Sequence, residues 1–174
     1  MKETTSEKAF PSQQPMPAWK IILLAGLLVG TLDIMAVIIQ TLINGRKPLG
    51  MLQFIDSGMF GKRSFSGGIS FGLYGLFFHY CISLGWTWLF FKVYPALKGL
   101  TKYKVLTGIC FSLLIWIIMS QVVLPLSNTP PFTFKLKQAV ISMLILIVAI
   151  GLPLSFMAAK YCGPPSPTLE TEHR

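Results

Sequence analysis

Four long apolar blocks constrain this chain more than any other feature. They cover about residues 19–43, 67–94, 103–126 and 136–159. Each reaches the roughly 20 residues a helix needs to cross the hydrocarbon core of a bilayer. A helix in a soluble bundle keeps a polar stripe along one side, and these blocks carry none. Charged residues make up only 12 % of the chain, about half the usual share of a soluble domain. The pattern predicts an all-α fold, a four-transmembrane-helix bundle over 19–160 whose first partner is the lipid bilayer. Polar tails are expected at 1–18 and 161–174.

The formal charge of +9 does not mark a nucleic-acid binder. The basic residues are scattered over tails and connections, without the dense run and interleaved aromatics of a nucleic-acid groove. In a membrane protein such residues set orientation. Lys and Arg are more numerous on the side that carries both tails, which argues for cytoplasmic termini. On that side each helix end joins a basic residue to an interfacial ring: Trp19 with Lys20, Trp88 and Tyr94 with Lys92, Tyr103 with Lys104, Tyr161 with Lys160. The first block is too long for a signal-peptide core and no A-x-A-like site follows it, so it is expected to remain uncleaved.

The connections carry structure of their own. "PLGMLQFIDSGMFG" (48–61) has Pro48 where a helix can begin and Gly61 where it can stop. It is too short to span, and predicts an interfacial or re-entrant helix between spans one and two. "FGKRS" (60–64) lacks the upstream glycine and the Ser or Thr of a phosphate loop. Pro125, Pro130 and Pro131 should end the third span, and Pro153 should kink the fourth.

Asp33 lies near the middle of the first span. A charged Asp at that depth costs about 2.5–3.5 kcal/mol on insertion scales, so it must face protein or water. Gly26, Gly30, Asp33, Val37 and Gln40 follow helical spacing and share one stripe. In the second span Gly68, Gly72 and Gly75 lead along a similar stripe to His79. These five glycines are the expected helix-packing positions, because small residues let membrane helices approach closely. Counted from the span centres, Asp33 and His79 both lie about 3 Å from the midplane, displaced to the same side. They are therefore expected to meet, either as an internal lock between helices or as a proton relay. Gln40, Asp56, Gln121, Asn128 and Gln138 all fall toward the opposite end from the tails, and are expected to frame the mouth of a cavity leading to Asp33.

No catalytic set emerges. H-E-x-x-H and G-x-S-x-G are absent, and the second histidine, His173, lies in the tail. Metal-ligand spacing is lacking, so neither metal nor cofactor is expected. Cys81, Cys110 and Cys162 read as small apolar fillers.

"GLFFHYCISLGWTWLFFKVYPALKGL" (75–100) and "MSQVVLPLSNTPPF" (119–132) resemble the YagU-type family of small bacterial inner-membrane proteins. The shared features are the Phe-His start at His79, the Tyr94-Pro95 exit, and the turn formed by Pro125, Leu126, Thr129, Pro130 and Pro131. The resemblance covers about a third of the chain and weakens before residue 67. It implies a four-span protein of the bacterial inner membrane and no particular activity. The expectation is a structural or accessory membrane component, a candidate homo-oligomer, with a small proton-linked transporter or channel working as a dimer as the alternative.

Overall fold

The structure is a computed structural model that describes residues 16–97, 102–131 and 135–162. Among these the fold is all-α. Helix α1 (Ala18–Ile43) starts behind Pro17, whose extended backbone and fixed φ suit a helix entrance. It ends in a Schellman arrangement: Gly45 has φ +67°, its N–H donates to the Leu42 carbonyl, and the Arg46 N–H donates to that of Thr41. Helix α2 (Pro48–Phe60) has proline in its first turn and stops at Gly61, at φ +63°. A 3₁₀ segment, Gly61–Phe65, leads to α3 (Gly68–Val93), which the turn Tyr94–Ala96 extends.

Helices α4 (Lys104–Leu126) and α5 (Leu136–Tyr161) each contain a π-helical turn, Met119–Val123 and Ile147–Gly151. In both cases a proline follows two residues later, Pro125 and Pro153. A proline supplies no N–H and crowds the carbonyl four residues back. Those carbonyls, of Gln121 and Ala149, fall inside the π-helical turns. The widened turn accommodates the mismatch, and at Pro153, where a kink was expected, the helix continues through it.

α1, α3 with its extension, α4 and α5 are long and apolar enough to cross a membrane, with mean window hydropathies of 1.2 to 2.6. Only 17–28 % of each apolar window is buried within the protein. Large residues such as Leu24, Ile39, Leu73, Phe77, Leu144 and Val148 lie exposed on the outside. So much outward apolar surface is compatible with an integral, multi-pass membrane protein solvated by lipid. Cys81 and Cys110 join this exposed surface, so they do not fill the interior.

The interior is concentrated at the end nearer the tails. There Ala25 and Val29 of α1, Phe90 and Phe91 of α3, Phe111 and Ile115 of α4, and Ile150, Leu154 and Ala158 of α5 are buried together. Phe90 and Phe111 join the two halves, with ring centroids 4.5 Å apart. Tyr94 is also buried, its ring 5.4 Å from Phe90, so it belongs to this core and not to the interfacial belt. The belt keeps Lys20 over Trp19, Lys92 over Trp88 and Lys160 over Tyr161, at 4.8–5.5 Å from the ring centres. The polar tails lie almost wholly outside the described residues, as does His173.

Candidate functional site

Helices α1 and α3 run antiparallel and touch through the small residues of α1. A Cβ added at Gly26 would stand 3.3 Å from the Leu84 Cα, and one at Gly30 would stand 2.8 Å from the Ser83 Oγ. This closeness brings α3 side chains within hydrogen-bonding distance of the α1 backbone. Ser83 Oγ donates to the Gly26 carbonyl at 3.0 Å, and His79 Nε2 donates to the Gly30 carbonyl at 2.9 Å. Thr31 already donates its hydroxyl to the Leu27 carbonyl, so the Tyr80 hydroxyl donates to Thr31 Oγ1, at 2.9 Å. Three successive rungs thus tie α3 to α1, and the first two form where Gly26 and Gly30 leave room for the close approach of α3.

Asp33 follows Gly30 by one turn and is half-buried. It interacts electrostatically with His79. Among the described residues, no hydrogen bond or ion pair joins the two side chains. The bond to Gly30 settles the chemistry of the imidazole. A carbonyl only accepts, so Nε2 carries a proton in this bond.

The expected packing glycines divide by what they meet. Gly72 and Gly75 are buried against α2, not against α1. A Cβ at Gly72 would lie 2.6 Å from Leu49 Cδ1, and one at Gly75 would collide with the Leu52 carbonyl oxygen. Gly68 does not pack at all: nothing lies near its Cβ position. Its φ of +62° explains the residue instead, since the chain must turn there into α3. Its carbonyl accepts a bond from Gln53 Nε2, at 2.9 Å, which helps seat α2.

The expected single cavity mouth is likewise divided. Gln40 and Gln138 line a cavity of about 460 Å³ beside Arg46, Lys47 and the start of α2. Gln121 and Gln138 line a second, of about 240 Å³, beside the π-helical turn of α4. Neither is lined by Asp33. Asn128 lines neither and ties the third connection to α2, its Nδ2 donating to the Met59 carbonyl and its backbone N–H to that of Gly58. Asp56 is wholly buried, so it is no mouth residue. Its helix face is the one pressed onto Gly75, and neither carboxylate oxygen has a hydrogen-bond partner among the described residues.

No family model, curated protein or solved structure matches this chain.

A second seam escaped the reading from sequence. α4 and α5 also run antiparallel, and a Cβ at Gly108 would stand 2.6 Å from the Gly151 carbonyl oxygen. Ser112 Oγ donates to the Leu146 carbonyl at 3.1 Å, and Trp116 Nε1 to Ser142 Oγ at 3.1 Å. The signal was present: Gly108 and Ser112, and Gly151 and Ser155, each form a small-x-x-x-small pair. Among the described residues no group of His, Cys, Asp or Glu is placed to hold a metal.

Proposed function

We propose that this chain is a structural or accessory component of a bacterial inner membrane, with both termini cytoplasmic, and that Asp33 and His79 act as an internal lock. The observation that carries this reading is the bond from His79 Nε2 to the Gly30 carbonyl. It commits one imidazole nitrogen to helix pairing. The Asp33 carboxylate, one turn on from Gly30, interacts electrostatically with the same ring and adds to the lock. The resemblance to the YagU-type family is in keeping with such a protein and adds no activity.

The alternative is a proton-linked transporter or channel working as a dimer. One observation favours it: Asp33 interacts with the ring and has no hydrogen bond of its own among the described residues. A carboxylate and the Nδ1 of a histidine then form a two-station proton path.

Proteoliposomes under an imposed pH gradient separate the two. The lock reading expects proton flux no greater than in protein-free vesicles. A flux that is present in the natural protein and lost in Asp33→Asn would replace the lock with the relay.

A further inference from the structure

We propose that the 460 Å³ cavity at the junction of α1, α2 and α5 binds the head group of an anionic phospholipid. The site rests on these helices crossing a membrane, and not on the roles of Asp33 and His79.

Its polar lining comes from Gln40, Thr41, Arg46, Lys47 and Gln138, and no acidic residue contributes. Neither Arg46 nor Lys47 forms an ion pair among the described residues. Gln40 has a side-chain amide nitrogen that is buried and lacks a hydrogen-bond partner there. A buried donor without an acceptor is costly, and a ligand oxygen would satisfy it. Guanidinium, ammonium and amide donors around one space suit a phosphate, to which Arg can offer two parallel bonds.

The remaining wall is apolar, formed by Val37, Met51, Phe54 and Phe65. An inorganic anion has no use for such a wall, whereas a glycerol backbone and the upper part of an acyl chain do. The position agrees. Arg46 and Lys47 follow the last turn of a membrane-length helix, at the level where head groups lie. Basic side chains placed between helix ends in this way pair with the phosphate of an anionic head group. The volume also falls within the range of small-molecule sites.

Gly50 provides a probe. It lines the cavity, has no positive φ, and no atom beyond its chain neighbours and its own helix backbone lies within 4 Å of its Cβ position. Gly50→Phe should therefore fill the cavity without disturbing the helices around it. The experiment is native mass spectrometry of the full chain, extracted from vesicles of phosphatidylglycerol and phosphatidylcholine. The natural protein should retain one phosphatidylglycerol in preference to phosphatidylcholine. Arg46→Gln with Lys47→Gln should weaken that retention about thirtyfold, from about fivefold per basic residue. Gly50→Phe should lose the bound lipid with both charges intact, and it carries the test if the double variant does not fold. Equal retention of the two lipids, or retention unchanged by Gly50→Phe, would overturn the proposal. Displacement of the lipid by millimolar inorganic phosphate would also overturn it, assigning the site to a soluble anion.

Discussion

The α4–α5 seam and the α1–α3 seam use one sequence device, small residues four apart, yet differ in what those residues meet. Gly108 and Gly151 bring backbone against backbone, each facing the other's carbonyl. Gly26 and Gly30 face mainly side chains, those of Leu84, Ser83 and Tyr80, with the Leu84 Cα also near Gly26. The first contact is closed, and its polar rungs are neutral hydroxyl and indole groups. The second leaves room for an imidazole and, one turn on, a carboxylate. The neutral seam shows that ionisable groups are not required to join two helices here. The α1–α3 seam differs in carrying two ionisable side chains, Asp33 and His79.

The sharpest way to break this contrast is to add one methyl to each seam. Gly151→Ala places a Cβ against the Gly108 carbonyl and Ser112 Oγ, where backbone cannot yield. It should cost about 3 kcal/mol in reversible unfolding from mixed micelles. Gly26→Ala meets mainly the flexible end of Leu84 and should cost about 1 kcal/mol or less. Equal losses would mean that the two seams do not differ as described.

Removing single rungs should have smaller effects. His79→Ala should destabilise by about 0.6–1.7 kcal/mol, the range of hydrogen bonds between membrane helices, and His79→Gln should recover part of the loss. Trp116→Phe deletes the indole donor to Ser142 while keeping an aromatic ring. Its expected cost is about 0.6 kcal/mol, measured in the same unfolding assay.

The smallest effect decides the most about the lock. Asp33→Asn alone should change stability by less than about 0.5 kcal/mol, because the carboxylate makes no hydrogen bond among the described residues. In a double-mutant cycle with His79→Gln, a coupling of about 0.5 kcal/mol is expected. Strict additivity would show that the two side chains act separately, and would remove Asp33 from the lock.

The four membrane-length helices were legible because lipid solvation demands long apolar runs, and composition alone reveals them. Helix α2 was legible from Pro48 and Gly61, since both residues act through their own backbone geometry. The glycine stripes were visible too, but not their partners. Gly72 and Gly75 receive α2, and Gly68 receives nothing, because periodicity reports a helix face and not its neighbour. Asp56 illustrates the same limit. The sequence placed it at a cavity mouth, and the packing of α2 onto α3 buried it.

From sequence alone came the helical class and the number of membrane-length helices, both properties of single helices in an apolar solvent. Tertiary structure decided that His79 bonds to a backbone carbonyl, that π-helical turns absorb Pro125 and Pro153, and that Arg46 and Lys47 flank a cavity. Those outcomes depend on the rotation and separation of neighbouring helices. Lipid-facing apolar residues constrain neither, so only side-chain packing and interhelical hydrogen bonds could set them.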